Sequence, residues 1–283
     1  MQAITFTAPV HWLQVLNEAR DAAKVVSVSH GGFKASQWGV RPFRAPHHTA
    51  SGVALVGGGS SPKPGEISLA HTGLLFLDEL PEYSRQVLDV LREPMESGRV
   101  TISRALKQAE FPARFQLIAA MNPCPCGNRT DPKAICWCSA NQIQRYQSRL
   151  SGPFLDRIDM QIEVPRVDRE ALKNIDPNVE TSAVVRERVT VARERQYARC
   201  GKMNAALGVN AALGVKDIDA HCKLAENDAG LLDQAMQRLN LSARAYHRIL
   251  KVARTIADLM TIEKINTACL SEAISYRSVD RRI

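Results

Sequence analysis

Leu74-Leu75-Phe76-Leu77-Asp78-Glu79 is the stretch on which the fold turns. Four consecutive apolar residues, too few for a buried helix, fit a strand buried on both faces of a parallel sheet. The strand ends on two adjacent carboxylates. In an open parallel sheet, ligands lie outside the carboxyl ends of the strands. Asp78 and Glu79 therefore stand where a nucleotide and its metal would be met. One carboxylate can hold Mg²⁺, directly or through water, and its neighbour can position or deprotonate an attacking water. The same six residues also suit a core strand running into an acidic turn before Pro81, and alone they do not separate the two readings.

Working outward, Phe115 to Met121 is a second apolar strand, ending in Asn122-Pro123. An amide at the tip of a neighbouring strand can touch both a phosphate and the attacking water. Arg149 to Asp159 then offers two arginines, Arg149 and Arg157, on a short helix followed by a strand from Met160 to Val164. Much later, Ser242 caps a long amphipathic helix. Tyr246, Ile249, Leu250, Ala253, Ile256, Ala257 and Met260 form its apolar stripe, and Arg244, Arg248, Lys251 and Arg254 lie off it.

This order of strand-Asp-Glu, strand-Asn, arginine helix and distant arginine resembles the AAA+ ATPases. Longer strings resemble the magnesium-chelatase-like ComM family of bacterial competence proteins: Pro42 to Ser51, Pro64 to His71, Leu91 to Gly98, Ser151 to Asp159 and Leu241 to Leu259. The resemblance runs from roughly residue 18 to the C-terminus. It implies an α/β fold with an AAA+ core, truncated at its N-terminus, and a C-terminal all-α lid. The implied divisions are an unmatched segment 1–17, the core 18–167 and the helical lid 168–283.

The resemblance also implies ATP and Mg²⁺ as cofactors, with Asp78 on Mg²⁺, Glu79 as the catalytic base and Asn122 sensing phosphate. Arg157 comes first and Arg149 second as the arginine finger acting on a neighbouring subunit's nucleotide, and Arg244 acts on phosphate from the lid. It implies a hexameric homo-oligomer that moves branched DNA in natural transformation. A hairpin before the Asn strand, Val100–Ser103 returning as Gln108–Phe111, would face the pore of such a ring. Arg104 and Lys107 at its tip suit backbone phosphates, although a surface hairpin with solvated charges fits equally. A hairpin around the Gly/Pro-rich tip in 51–72 is likewise implied, built from two short strands.

A P-loop requires Gly-x-x-x-x-Gly-Lys-[Ser/Thr], because its backbone N–H groups cradle the phosphates and its Lys reaches them. The 283 residues contain no such string. In the family it precedes the matched region, so the chain resembles the C-terminal part of a longer protein. Two other readings stand beside the DNA motor. One is an accessory ATPase of the magnesium-chelatase type, and the other is an inactive fragment able to poison a ring.

Four of the seven cysteines cluster as Cys124-Pro-Cys126 and Cys136-Trp-Cys138 in a turn-rich loop. Four thiols within one short loop suit a closed tetrahedral Zn²⁺ site, which would stiffen the loop after Asn122; four free thiols are the other reading, since the spacing is Cys-x-Cys rather than the usual Cys-x-x-Cys. Cys200, Cys222 and Cys269 read as core or surface thiols. His47-His48 reads as structural or partner-contacting, because adjacent residues rarely ligate one ion well.

Hydrophobic content of 45% with 23% charged residues describes an ordinary globular chain. No apolar run approaches the ~18–20 residues that span a bilayer, and Met1 to Leu16 lacks a signal-peptide pattern, so the expected location is the cytoplasm. Net charge is +8, spread over both halves without a dense basic run. Ala22–Ser29 reads as helix or strand, Tyr83–Ser97 as one helix ended by Gly98, and Arg166–Pro177 as a charged linker. Thr181–Arg199 reads as a helix with Val184, Val185, Val189 and Ala192 inside, and Thr267–Tyr276 as the last helix. Between them stands an exact duplication, Asn204-Ala-Ala-Leu-Gly-Val209 followed by Asn210-Ala-Ala-Leu-Gly-Val215, read as a lengthened loop.

Overall fold

The computed structural model describes residues 12–104, 107–165, 179–200 and 208–277. These residues fall into two compact units, one within 12–157 and the other within 158–277. The expected domain boundary at 167/168 and the linker Arg166–Pro177 lie outside the described residues.

In the first unit, α1 (Trp12–His30) buries Ala22 and Val25, which settles Ala22–Ser29 as helix. The sheet has three parallel strands, β1 (Phe43–Arg44), β4 (Leu74–Leu77) and β7 (Gln116–Ala119), in the order β1-β4-β7. Strand β4 is less enclosed than its run of four apolar residues suggests. Leu75 and Leu77 are fully buried, while Leu74 and Phe76 are only half-buried. Phe76 stacks on exposed Phe43 with ring centroids 6.5 Å apart. On β7, Ile118 is exposed. The sheet is therefore sealed on one face and partly open on the other. Gly73 lets β1 come this close: a Cβ there would stand 2.0 Å from the Pro42 carbonyl oxygen.

Between β1 and β4 the expected pair of strands is mostly helix. Ser51 caps α2 (Gly52–Val56) by accepting the Ala54 N–H, and α3 spans Glu66–Leu69. Only β2 (Gly57–Gly58) and β3 (Lys63–Pro64) pair, antiparallel. Gly57 has φ +102° and its Cβ would lie 2.2 Å from the Lys63 oxygen, so the turn out of α2 requires glycine.

The single helix expected over Tyr83–Ser97 is two, α4 (Arg85–Val90) and α5 (Arg92–Ser97). Pro94 explains the break, since it has no N–H to offer the preceding turn and its ring crowds the carbonyl four residues back. Val87, Leu88 and Leu91 are buried as expected, and Met95 is half-buried. Gly98 ends α5 in the left-handed region at φ +68°. The hairpin follows as β5 (Arg99–Arg104) and β6 (Lys107–Pro112), antiparallel from Arg99↔Pro112 to Arg104↔Lys107.

After β7, a capping box of Ser139 and Gln142 starts α6 (Ala140–Gln147), and Ser151 caps α7 (Gly152–Leu155). Arg149 and Arg157 flank α7 rather than sitting on it. No strand forms over Met160–Val164. Ile162 and Val164 are exposed there, and the Gln161 N–H bonds the Tyr276 carbonyl instead of a sheet neighbour.

The second unit is helical: α8 (Ser182–Cys200), α9 (Val215–His221), α10 (Glu226–Arg238), α11 (Ala243–Leu259) and α12 (Thr267–Ser275). Leu213, Ile218, Leu232, Ile249, Ala253 and Leu270 sit in its core. Ser242 caps α11 through the Ala245 N–H. Two expectations fail here: Val184 on α8 and Met260 at the end of the apolar stripe are both exposed. Arg254, off that stripe, is nonetheless buried at 2% exposure and donates to the carbonyls of Ile262 and Glu263.

Arg254 also faces Asp258, which has no exposed surface and receives Arg199 as well. Asn210 donates to Asp258 at 2.8 Å and to Thr255 at 3.1 Å. The second copy of the duplicated hexapeptide is therefore locked into the helical core, while 204–207 of the first copy lie outside the described residues.

Candidate functional site

The parallel register Leu77↔Ala119 fixes the site. Beyond it the strand ends stay joined: the Ala120 N–H reaches the Leu77 carbonyl and the Leu80 N–H reaches the Ala120 carbonyl, both at 2.9 Å. Asp78, Glu79 and Asn122 thus emerge at the same end of two paired strands, and all three are exposed. Glu79 has a left-handed backbone at φ 51°, uncommon for a residue with a Cβ. The Asp78 Oδ1 accepts the Glu79 N–H at 2.9 Å, and the Glu79 carbonyl accepts the Glu82 N–H at 2.7 Å. Two local hydrogen bonds therefore hold the strained turn.

Tyr83 anchors the segment after β1 to this turn, donating its hydroxyl to the Pro46 carbonyl at 2.6 Å. Burial pushes the Tyr83 phenol up to about 12, and the Asp78 charge adds to the shift. The anchor brings His48 against Glu79, with Nδ1 2.9 Å from Oε2. The His47 and His48 rings lie 4.1 Å apart. His48 is the site residue that the sequence reading missed. It stands far from Glu79 in sequence, and the pairing of β1 with β4 and the Tyr83–Pro46 bond bring them together. His48 also borders a surface groove of about 800 Å³, with Ser51, Val53, Val87 and Ile102 among its walls.

Arg149 donates to the Pro81 carbonyl at 2.9 Å and to Glu82 at 2.8 Å, and its side chain is about half exposed, 49%. Arg157 is 8% exposed, bonds the Pro153 carbonyl and pairs with Glu96 at 3.0 Å. Both therefore brace the first unit in this chain. Arg104 and Lys107 are paired by backbone at the end of the β5–β6 ladder; their side chains lie outside the described residues. Arg244 is exposed on the first turn of α11 in the second unit.

The sulfurs of Cys124, Cys126, Cys136 and Cys138 all lie within 4.8 Å of one another. Three of their separations are 3.4, 3.7 and 3.7 Å. Zinc–sulfur bonds of about 2.3 Å at tetrahedral angles put sulfurs ~3.8 Å apart, so the donor set fits zinc. The N–H groups of Asn128 and Trp137 lower the Cys126 thiol to about 6, whereas desolvation raises Cys138 to about 12. The loop is tied back to α6 by Gln147, which donates to the Pro123 carbonyl at 3.3 Å. Burial raises the Tyr146 phenol, and the Asn122 N–H opposes that shift. The cysteine loop and α6 thereby bracket Asn122.

No helix among the described residues is long and apolar enough to cross a membrane. The family described as magnesium chelatase, subunit ChlI, matches residues 12–172, and its C-terminal family matches residues 179–277. The chain is 53% identical to competence protein ComM of Haemophilus influenzae over 270 residues, covering 93% of this chain and 50% of that protein. It is 48% identical over 264 residues to the YifB proteins of Salmonella typhimurium and Escherichia coli, covering 93% of this chain and 51% of each. The chain thus spans about half the length of the curated relatives it matches. With its parallel sheet ending in Asp78-Glu79 and its C-terminal helical unit, the chain belongs to the magnesium chelatase ChlI family and has that family's AAA+ type of fold.

Proposed function

We propose that this chain is the water-activating and phosphate-sensing part of an ATP-driven ring motor that acts on DNA in the cytoplasm. The observation that carries the reading is the emergence of Asp78, Glu79 and Asn122 at one end of the paired strands β4 and β7. Asp78 is exposed and spends Oδ1 on the Glu79 N–H, so it fits an inner or water-mediated ligand of Mg²⁺. The metal, when bound with ATP, neutralises phosphate charge. Glu79 takes the proton of the attacking water, and Asn122 orients that water against the terminal phosphate. Arg244, exposed on the first turn of α11, is the further arginine proposed for phosphate contact.

Exposure favours Arg149 over Arg157 as the finger reaching a neighbouring subunit, since Arg157 is buried against Glu96. Arg104 and Lys107 contact DNA backbone at the hairpin tip, in a hexameric homo-oligomer. The four cysteines hold a structural Zn²⁺ that stiffens the loop beyond Asn122. The similarity to ComM over nearly the whole chain supports the DNA motor ahead of metal-chelatase work.

The test uses a fusion to the half of the Haemophilus relative that this chain does not cover. The fusion should hydrolyse ATP, with hydrolysis stimulated by branched DNA. Glu79→Gln should retain ATP binding and lose ~10²–10⁴ in kcat, the usual contribution of a general base. ATP hydrolysis indifferent to any DNA would favour the chelatase-type reading.

A further inference from the structure

The sequence placed no chemistry on His48, yet its ring makes a polar contact with the side chain of Glu79. The Nδ1–Oε2 separation of 2.9 Å is a hydrogen bond. An ionised carboxylate only accepts, so Nδ1 carries the proton. His47, directly beside it, has the opposite arrangement. Its Nδ1 takes the Thr49 N–H at 3.4 Å and lies 2.9 Å from the Thr49 hydroxyl, so its proton belongs on Nε2. The two rings lie 4.1 Å apart, tilted by 34°, and the His48 ring meets Tyr83 edge-on at 6.5 Å. Tyr83 is in turn tied to Pro46. The ring of His48 is thus oriented from two sides before it meets Glu79.

Glu79 needs such a partner. Its backbone is fixed by the left-handed turn, but its side chain is 54% exposed and carries several rotatable bonds. A mobile side chain spends little time in a reactive geometry, and misplacement by about 1 Å can cost ~10²-fold in rate. One hydrogen bond from a held imidazole removes most of that freedom.

We propose that His48 is a positioning residue for Glu79, donating from Nδ1 to aim the carboxylate at the attacking water. This rests on Glu79 as the water-activating base. His48 itself touches neither nucleotide nor water in the scheme; it acts through Glu79.

The first test needs no nucleotide and uses the 283-residue chain. Long-range ¹H–¹⁵N spectra at pH 8, above the ordinary imidazole range, identify the protonated ring nitrogen. The His48 signals, assigned by their loss in His48→Gln, should show the proton on Nδ1. In Glu79→Ala the same ring should move to the Nε2–H form. A wild-type ring already protonated on Nε2, or one unchanged by Glu79→Ala, overturns the proposal.

The second test measures ATP turnover in the fusion described above. His48→Ala should lower kcat by ~10–100-fold with the KM for ATP within about twofold, the mark of misplacement rather than lost binding. His48→Asn, whose amide N–H can occupy the place of Nδ1, should recover most of the rate. Full kcat in His48→Ala together with an inactive Glu79→Gln removes His48 from the scheme and leaves Glu79 as the base. An active Glu79→Gln instead removes Glu79 as the base, and the role of His48 with it. Equal losses in His48→Ala and His48→Asn also overturn positioning through Nδ1.

Discussion

Asp258 has no exposed surface and lies between two guanidinium groups, those of Arg199 and Arg254. Burial alone would raise its carboxyl. Hydrogen bonds from Arg199 and Asn210, with the charge of Arg254, outweigh that and hold it below the usual carboxylate range. The sign of the pH effect follows. A depressed carboxyl contributes its full stability above the unfolded value, about 4, and loses it as pH falls through the folded value. Asp258→Asn leaves buried cations uncompensated and should cost ~3–5 kcal/mol at pH 7. Urea unfolding should show that cost shrinking below about pH 4, and a cost equal at pH 7 and pH 3.5 would contradict the ion-pair account. This residue illustrates the reach of the sequence. The spacing of α11 correctly showed the stripe of Ile249, Ala253 and Ile256. It also put Arg254 off that stripe, because a periodic pattern cannot reveal that a carboxylate one turn away will draw a cation into the core. His48 escaped notice for a related reason, since its partner arrives through a parallel strand pairing.

At the scale of elements, the four thiols that the sequence grouped in one short loop lie within 4.8 Å of one another. Their closeness was legible because neighbours within a short turn-rich loop meet with little help from distant packing. Purified protein should carry about one Zn²⁺ equivalent, the load of one four-thiolate site. Cys136→Ser should lose it and increase hydrogen exchange across the loop after Asn122. Metal-free protein, prepared without chelator and with all four thiols titratable, would remove the site. The segment 51–72 was less legible. Glycines and prolines marked its turns correctly, but Ala54-Leu55-Val56 turns out to be helix under a Ser51 cap. The break between α4 and α5 was visible in Pro94 and was overridden by the apolar stripe that continues through it. Met160–Val164 has a strand's composition without a strand's neighbour, and pairing decides the matter.

For the whole molecule, the decisive fact is one of sequence: the 283 residues hold no P-loop string. The chain by itself should bind ATP poorly and show almost no turnover, because the largest set of phosphate donors is missing. Micromolar ATP affinity with Glu79-dependent hydrolysis would refute this. DNA binding by the assembled fusion should be independent of sequence and weaken as salt rises. Arg104→Ala combined with Lys107→Ala should flatten that salt dependence and uncouple ATPase from DNA while basal turnover persists. Full DNA stimulation in the double variant would move the contact off the hairpin. The cations of α11 would be the next candidates, and they already have partners: Arg248 with Asp159, Lys251 with the Ala211 carbonyl, and Arg254 with Asp258.

The duplicated hexapeptide has a consequence for heredity. Removing residues 204–209 and removing residues 210–215 yield one and the same polypeptide. A coding change that drops either unit therefore still supplies an asparagine, followed by Ala-Ala-Leu-Gly-Val, to stand where Asn210 now meets Asp258. The core contact has a spare copy written immediately upstream. A point substitution at Asn210 enjoys no such insurance, because it alters the copy that is already seated.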